Sequence, residues 1–341
     1  MMMKAVMLVD HNKAEMREIP IPVCKKGEIL IQTKAATVCT SDILDMRHNL
    51  FNLSFPIVMG HEGAGVVAAV GEGVDDIKVG DEVAVHPVMP CYKCPSCKKM
   101  IPHLCDDMQH LAFNLPGCFA EYFVTRPDCV RIKPAGLSFA LASLMEPVCV
   151  CLEAINRADV LPRDRVLIAG DGPFGIMMSK LCSSKNPEMI IQTGLHDSRL
   201  KIAADEGRVK TLNIGSVYEP VKEIMDLTDK EGIDKAILCV SSPEAFDLCF
   251  DVLRSRGILV VFSALNEKVP VDLMRLHLKE LTIAGSNNDE DFMDEAIRLL
   301  QDPGLNMKSI VTHELPFESW ADAFRLAEFD KEKCLKVSMI F

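Results

Sequence analysis

The sequence predicts an α/β protein of two domains, a small β-rich barrel followed by a doubly wound sheet of six parallel strands. Residues 1 to about 150 consist of apolar or alternating runs separated by Gly, Pro and Asp turns, a pattern typical of strands. From about 152 to 288, buried strands alternate with helical patterns, which indicates a parallel sheet covered on both faces. The length of 341 residues also exceeds what one core usually serves.

The elements follow in order along the chain. The predicted barrel strands lie in the runs MKAVMLVD, GEILIQTKAATV, GAGVVAAVGEGV, GDEVAVHPV and CFAEYFVTRPDCVRIK. The six predicted parallel strands are RVLIA (165–169), MIIQT (189–193), TLNI (211–214), DKAILCV (234–240), ILVVFS (258–263) and LTIAGS (281–286). Helices are predicted at EPVKEIMDLTDKEG and at PEAFDLCFDVLRSRG, the second closed by Gly257. DEDFMDEAIRLLQ reads as a further helix, and short strands return after Ser309.

Composition excludes several classes of function. The net charge of -12, without a Lys or Arg stripe, removes the electrostatic basis for nucleic-acid binding. No charged and apolar leader follows the start, and no uninterrupted apolar run reaches the roughly 18 residues that span a bilayer. The 14 cysteines are too sparse for a disulfide scaffold and suit reduced thiols. We therefore expect a soluble cytoplasmic protein with no membrane partner.

Four cysteines are concentrated in CYKCPSCKKMIPHLC, at positions 91, 94, 97 and 105. Such a cluster serves either disulfide pairing or metal ligation. Because the other cysteines are scattered and indicate a reducing compartment, the cluster predicts a metal site formed by Cys91, Cys94, Cys97 and Cys105.

A glycine-rich loop, VLIAGDGPFGIMMSKL, places Gly170, Gly172 and Gly175 directly after a predicted strand and at the start of an apolar helix. In this context the glycines permit a tight turn, the approach of a pyrophosphate and close helix packing, while the helix N-terminus favours negative charge. A plain strand-to-helix turn is the alternative. The six surrounding strands favour a dinucleotide site, for which the predicted residues are Gly170, Gly172, Pro173, Phe174, Gly175, Gly194, His196, Arg199, Val240, Ser241 and Ser263.

A second, dispersed set comprises Cys39 in TVCTSD, His61 and Glu62 in GHEGAG, and Glu146 in EPV. Taken singly, each is more simply a core or helix-end residue. Together they supply thiolate, imidazole and carboxylate, the ligand types of zinc, and a catalytic zinc uses about three protein ligands plus an open position.

With these motifs in their order, and with Phe119-Ala120-Glu121-Tyr122, the chain resembles the zinc-dependent medium-chain dehydrogenases over essentially its whole length. The Glu146-Pro147 pair makes it most similar to the polyol branch, which includes sorbitol and threonine dehydrogenases. The resemblance implies a GroES-like β-barrel catalytic domain and a Rossmann domain inserted before its last segment. The expected boundaries are 1–151 and 289–341 for the catalytic domain, with a zinc lobe at about 88–108, and 152–288 for the Rossmann domain.

The resemblance also implies residue roles and an assembly. Cys39 and His61 would bind a catalytic zinc, and Glu62 and Glu146 would be alternative third ligands. The four clustered cysteines would close a structural zinc site, which gives two zinc ions per chain. A homodimer or homotetramer is expected.

Several positions keep two interpretations. Ser41 stands where the family uses a hydroxyl to carry away the substrate proton, yet Ser41 and Asp42 could equally cap a helix starting at Ile43. Leu44 and Asp45 replace the histidine and aromatic residue of many polyol dehydrogenases, so the substrate is in doubt. We expect the remaining histidines of this half to be surface or loop residues rather than ligands, namely His48, His86, His103 and His110.

The cofactor prediction depends on the end of the second parallel strand. NAD sites usually carry Asp or Glu there, about 20 residues beyond the loop, to bind the ribose hydroxyls. This chain has Gly194 instead, with Arg199 and His196 nearby to meet a 2′-phosphate. The sequence therefore predicts NADP over NAD, with the alternative that Asp197 reaches the ribose and Arg199 pairs with an acid.

The predicted function is reversible oxidation of a secondary alcohol, in a polyol or sugar derivative, to the ketone. One alternative changes the substrate to threonine or a simple alcohol. Another, of a different class, is a non-catalytic zinc and nucleotide binder that senses the redox state of the cofactor pool. The set Cys39, His61, Glu62 and Glu146 argues against a sensor, because a sensor needs no open metal position.

Overall fold

The computed structural model describes residues 1–204, 207–265 and 267–341. The strands and helices up to residue 158 are β1 Met2–Asp10, β2 Lys13–Pro20, β3 Ile29–Thr37, α1 Thr40–His48, β4 Ile57–Val58, β5 Glu62–Val70, β6 Glu82–Val85, β7 Val88–Met89, α2 Pro95–Lys98, β8 Gln109–His110, β9 Tyr122–Thr125, β10 Val130–Ile132, α3 Phe139–Ala142 and α4 Met145–Ala158. The remaining elements are β11 Arg165–Ala169, α5 Pro173–Ser183, β12 Met189–Gly194, α6 Asp197–Ala204, β13 Val209–Asn213, α7 Pro220–Leu227, β14 Ile233–Leu238, α8 Pro243–Val252, β15 Leu253–Val261, α9 Leu273–Leu278, β16 Thr282–Gly285, α10 Met293–Leu300, β17 Val311–Pro316, α11 Trp320–Phe329 and β18 Lys336–Ile340.

The chain divides into two compact units. The first comprises Met1–Cys149, Glu290–Gln301 and Val311–Phe341. The second comprises Val150–Asp289 and Asp302–Ile310. The sequence placed the last of these segments with the first domain, but its short 3₁₀ turns pack on α5 of the second unit.

The first unit is the expected GroES-like β structure. Its main sheet has the order β10-β6-β5-β3-β18-β17, with β9 also paired to β3, and a separate sheet has the order β2-β1-β4. Buried and partly buried residues alternate through most of β3, because successive side chains of a strand point to opposite faces. The inward residues form one core around Phe119 and Phe123. This sheet fixes the positions of the loops that carry the polar residues described below.

The second unit contains one parallel sheet in the order β13-β12-β11-β14-β15-β16. This is the strand order of a doubly wound Rossmann sheet, and the six predicted strands are confirmed. All residues of β14 are buried, as expected for a strand covered by helices on both faces. The carboxyl ends of β11, β12 and β14 therefore meet at the sheet edge that usually receives a ligand.

Two predicted helices extend beyond their observed ends, and the one predicted at 219–232 ends at Leu227. The helix predicted to run to Gly257 ends at Val252, and β15 begins at Leu253. Leu253 is opposite Ile233 of β14, and the pairing then shifts before it continues at Ile258. Pairing with the neighbouring strand therefore overrides the helical pattern of LRSRG, since helix propensity is a weak preference that tertiary contacts override.

One segment, Phe139–Ala158, is long and apolar enough to cross a membrane. It includes Glu146 and Glu153, and 78% of its apolar window is buried inside the protein. That degree of burial is typical of a core helix in a soluble protein.

Candidate active site

Three potential metal ligands meet in the first unit where β3 and β5 pair. Thr37 at the end of β3 is opposite Glu62, the first residue of β5. This pairing brings the residue that caps α1, Cys39, next to His61. One ligand atom from each of Cys39, His61 and Glu62 lies within 4.8 Å of the others, and all three residues are buried. A buried thiol, imidazole and carboxylate at this spacing can hold a zinc ion.

Asp42 orients two of these residues. Its Oδ2 accepts the backbone N–H of Cys39 at 2.9 Å, and its Oδ1 lies 3.3 Å from His61 Nδ1. Burial lowers the pKa of His61, but Asp42 and the Cys39 sulfur outweigh burial and raise that pKa well above its ordinary value. Asp42 and the Cys39 sulfur therefore favour a positive charge at the His61 imidazole. A carboxylate on the second nitrogen of a histidine ligand is also the usual support of a zinc-bound imidazole.

Ser41 lies inside α1 rather than at its start. The helix begins at Thr40 with Cys39 as N-cap, so the predicted cap before Ile43 is wrong for Ser41. Only Asp42 takes part in capping, through its bond to the Cys39 N–H. The half-buried Ser41 Oγ lies 3.4 Å from His61 Nε2, at the edge of the ligand cluster.

Glu62 is already paired with a cation of the protein. Both of its carboxylate oxygens contact the Nζ of Lys336, and Thr37 Oγ1 also donates to the carboxylate. Burial lowers the pKa of Lys336, but Glu62 outweighs burial and raises it above its ordinary value. The carboxylate charge of Glu62 is therefore largely balanced by Lys336.

Glu146, in the first turn of α4, differs from Glu62 in its bonding. Its Oε2 is buried and accepts no hydrogen bond from the described residues. Burial raises the pKa of Glu146 to about 7, while the charge of His61 lowers it and that of Glu62 raises it. Glu146 does not join Cys39, His61 and Glu62 in the group of ligand atoms that lie within 4.8 Å of one another. Its orphaned buried oxygen nevertheless fits a cation ligand, since such an atom is otherwise costly.

One wall beside His61 is aromatic. The ring of Phe113 lies 5.9 Å from that of His61, 4.2 Å from that of His110 and 4.9 Å from that of Phe51. His110 Nδ1 is 2.6 Å from the Leu111 carbonyl oxygen, so this nitrogen donates. Burial and the nearby His61 lower the pKa of His110 well below its ordinary value, which leaves Nε2 as a hydrogen-bond acceptor.

The remaining histidines were expected to be surface or loop residues. His48 is exposed, and His86 lies in the loop between β6 and β7, but His86 and His103 are both buried, at 5% and 6% exposure. Asp45 is also buried and accepts the Phe51 N–H at 3.0 Å. Leu44 is exposed.

The four clustered cysteines gather around one point. Their sulfur atoms lie within 4.8 Å of one another, and those of Cys94 and Cys105 are 3.8 Å apart. A disulfide requires about 2.05 Å, whereas a tetrahedral zinc with bonds of about 2.3 Å separates its sulfurs by about 3.8 Å. Backbone N–H groups, chiefly that of Cys97, lower the pKa of Cys94 to about 7. The spacing and the donors fit a metal thiolate site formed by Cys91, Cys94, Cys97 and Cys105.

The glycine-rich loop of the second unit connects β11 to α5. Gly170 has a φ of +117°, which a side chain would disfavour, and a Cβ on Gly175 would lie 2.0 Å from the Gly170 carbonyl oxygen. Gly172 is the N-cap of α5, and Pro173 opens the helix. The Phe174 ring lies 5.2 Å from that of Phe262. The loop leaves the backbone of Gly172 open, since a Cβ there would meet nothing within 4 Å.

The other predicted cofactor residues lie around the carboxyl ends of the strands. Val240 and Ser241 follow β14, and Ser263 follows β15. Gly194 ends β12, and His196 and Arg199 belong to the turn and helix after it. Arg199 is buried at 6% exposure, so its guanidinium is not presented to solvent. His196 Nδ1 instead hydrogen bonds to Asp171 Oδ2 at 2.9 Å.

The sequence interpretation missed several polar residues of both units. Lys336 is 274 positions from Glu62, so no local motif connects the two. Asp42 carried a signal, because it stands three residues after Cys39, but it was assigned only to capping. Asp171 lies inside the glycine-rich loop, where only the glycines were given a role.

The fold and the ligand clusters together define a zinc-binding oxidoreductase with a dinucleotide-type sheet. Residues 25–134 match the alcohol dehydrogenase GroES-like domain, and residues 173–302 match the zinc-binding dehydrogenase domain. The chain belongs to the zinc-dependent medium-chain alcohol dehydrogenase family, whose members use NAD or NADP.

Individual relatives cover nearly the whole chain. A sorbitol dehydrogenase of Bacillus subtilis is 31% identical over 98% of this chain and 96% of its own length. An L-threonine 3-dehydrogenase of the same organism is 28% identical over 99% and 98%. A solved structure from Escherichia coli CFT073, described as a short chain alcohol dehydrogenase complexed with NADH, has 27% identity and a TM-score of 0.93, with 100% and 99% of the chains covered.

Proposed function

We propose that this protein oxidises the secondary alcohol of a polyol or sugar alcohol to the ketone, reversibly, with a nicotinamide dinucleotide as hydride acceptor. The observation that carries the proposal is the cluster of Cys39, His61 and Glu62, together with the orphaned buried Oε2 of Glu146. The four residues could supply the four ligands of a closed zinc site, but Lys336 already balances Glu62, which leaves three. A position is thus left for a substrate oxygen.

Cys39, His61 and one of the two glutamates would hold the catalytic zinc, and the four clustered cysteines a structural zinc. Bound there, the catalytic ion would supply Lewis acidity that lowers the pKa of an alcohol. Glu146 is the stronger candidate for the third ligand, because its Oε2 has no partner among the described residues. Glu62 has Lys336 and Thr37 as partners and would exchange with it only if those contacts break.

Ser41 would move the proton that the alcohol loses. Its Oγ lies beside His61 Nε2 and is half-buried, so it reaches both the ligand cluster and the solvent side of α1. The alcohol proton would pass to Ser41 and then to water, and a bound nicotinamide dinucleotide would accept the carbinol hydrogen as hydride. The products are the ketone, the reduced dinucleotide and one proton, so the step is balanced.

The wall beside His61 favours a substrate with a further hydroxyl group. His110 presents Nε2 as an acceptor, and Phe51 and Phe113 supply apolar surface for the carbon chain. An amino alcohol such as threonine would need an accessible anion for its ammonium group, and the acid on this side, Asp45, is buried at 3% exposure. These features support a polyol over threonine, which remains the alternative with simple alcohols.

A dinucleotide-reduction assay over polyols, sugar alcohols, threonine and simple alcohols tests the proposal. We expect the highest kcat/KM with a polyol and loss of turnover in Cys39→Ser. Highest turnover with threonine would replace the substrate, and no turnover with any alcohol or ketone would favour a non-catalytic redox sensor. We further propose a cytoplasmic homodimer or homotetramer, as in related enzymes, to be measured by analytical ultracentrifugation.

A further inference from the structure

The space beside the end of β12 is filled by a side chain from another loop. A Cβ on Gly194 would lie 2.4 Å from the Cβ of Asp171 and 2.7 Å from its Oδ2. Real Cβ atoms do not approach others so closely. Asp171, the residue between the first two glycines of the glycine-rich loop, therefore occupies the volume that a side chain at position 194 would take.

The carboxylate of Asp171 is fixed through one oxygen. Its Oδ2 accepts the backbone N–H groups of Leu195 at 2.9 Å and His196 at 2.7 Å, as well as His196 Nδ1 at 2.9 Å. Its Oδ1 has no hydrogen-bond partner among the described residues, and the side chain retains 12% exposure. One oxygen thus anchors the group to the β12–α6 turn, while the other remains available to a ligand.

The end of the second strand of a doubly wound sheet is where adenosine ribose is recognised. A carboxylate there accepts hydrogen bonds from the ribose hydroxyls and repels a 2′-phosphate. The prediction of NADP assumed that no carboxylate stands at this point, because position 194 is glycine. That premise does not hold in the structure, since Asp171 brings a carboxylate to the same place.

We propose that Asp171 is the ribose-recognition residue of this protein and that it makes the site select NAD over NADP. The inference rests on the proposed dinucleotide site. Gly194 is then the complement of Asp171, since only a residue without a side chain leaves room for it.

The surrounding charges agree with a site that rejects a 2′-phosphate. Arg199 is buried at 6% exposure and already interacts with other groups of the protein. Asp197, at the start of α6, accepts Asn213 Nδ2 at 2.6 Å, and because its carboxylate is exposed its charge is well screened and contributes little. His196 is the basic group next to Asp171, and its Nδ1 is already engaged with that carboxylate.

The test measures binding rather than turnover. Isothermal titration calorimetry with the zinc-loaded full-length protein gives dissociation constants for NAD and NADP. Because charge-assisted contacts are the strong ones, we expect NAD to bind at least about tenfold more tightly than NADP. In Asp171→Asn, which keeps the shape but removes the charge, NADP binding should strengthen by about tenfold and NAD binding should weaken.

Moving the carboxylate from position 171 to position 194 tests whether its charge at the strand end is sufficient for the NAD preference. The double variant Asp171→Gly with Gly194→Asp moves the carboxylate to the strand end and should restore the NAD preference. Gly194→Asp alone crowds two carboxylates into one space and should weaken the binding of both dinucleotides. Asp197→Asn is the matched control, in which the ratio of the two dissociation constants should stay within about twofold, because an exposed charge is well screened.

Three outcomes overturn the inference. A wild-type protein that prefers NADP, or an Asp171→Asn variant whose preference is unchanged, would show that Asp171 does not select the cofactor. A swap variant that folds, as judged by its thermal midpoint, but prefers NADP would contradict the assignment of ribose recognition to the end of β12. If neither NAD nor NADP binds the wild type, the proposed function itself is overturned.

Discussion

Glu62 and Lys336 form an ion pair in which neither side chain is exposed, although 274 positions separate them in the chain. Their side chains are 0% and 1% accessible. The pair exists because β18 lies next to β3, whose last residue, Thr37, faces Glu62 across the sheet. The C-terminal strand therefore contributes directly to the charge balance of the ligand cluster.

Lys336→Met should destabilise the protein strongly. The substitution leaves Glu62 buried without its cation, and breaking one partner of a buried pair typically costs about 3–5 kcal/mol. Thermal and urea unfolding of the zinc-loaded protein measure the effect. We expect the larger loss in the transition that reports the first unit, which contains both residues.

Lys13→Met is the matched control, because Lys13 pairs with Glu15 at the surface. Such a pair is worth about 0–1 kcal/mol, so this variant should unfold close to the wild type. The double variant Lys336→Met with Glu62→Gln should recover part of the loss, since no charge is then left unpaired. Equal stability of Lys336→Met and Lys13→Met would contradict the role given to the buried pair.

Cys94→Ser should lose metal and stability together. Because the four sulfurs fit one tetrahedral ion, removal of one thiolate should lower the zinc content from about two per chain to about one. Mass spectrometry of the metals and the thermal midpoint report the change. Cys24→Ser is the control, since Cys24 lies outside both clusters. Unchanged zinc content in Cys94→Ser would argue that the four thiols are not ligands.

Local patterns were sufficient for much of this fold. The six parallel strands were predicted within a few residues, except for the start of β15, because each is a short apolar run between turn signals. The close approach of Gly175 to Gly170 follows from the loop sequence itself. The spacing of the four cysteines likewise lies within 15 residues, from Cys91 to Cys105. In each case the interacting residues are close in sequence.

Contacts between distant segments could not be predicted in this way. No pattern in the sequence connects Lys336 with Glu62. The sequence also gave no reason to prefer Glu62 or Glu146 as the third zinc ligand, since it is their hydrogen-bond partners that distinguish the two. Position 194 shows the same limit. Its glycine predicted a ribose site without a carboxylate, and the sequence did not reveal that the Asp171 side chain lies in the space beside it.

Cys39→Ser should leave the fold intact and abolish turnover. Cys39 is the N-cap of α1, a position that serine favours, so the substitution should change the thermal midpoint of the chelator-treated protein little. Loss of the thiolate should remove about one zinc ion per chain, while the four clustered cysteines retain theirs. Metal analysis beside the alcohol assay measures both. Normal turnover in this variant would show that the cluster at Cys39 is not catalytic.

Asp45 should make the stability of the protein depend on pH. Burial, the largest influence, raises its pKa from 3.8 to about 6, so between these values the folded protein holds a proton that the unfolded chain has lost. Because the folded state binds more protons than the unfolded state in that interval, the free energy of unfolding should decrease as the pH rises from about 4 to 6. The loss of stability should persist at higher pH. The cost is roughly 1–3 kcal/mol above pH 6.

Asp45→Asn should remove this cost. Asparagine keeps an oxygen that can accept the Phe51 N–H, which Asp45 accepts at 3.0 Å, but it carries no charge to bury. The variant should be more stable than the wild type at pH 7, with a difference that shrinks towards pH 4, where Asp45 is itself neutral in the folded protein. Asp76→Asn, at an exposed position, should show no such trend. The measurement is the thermal midpoint of the wild type and the two variants across this pH range. A gain in Asp45→Asn that does not depend on pH would indicate a packing effect and would contradict a role of the buried charge.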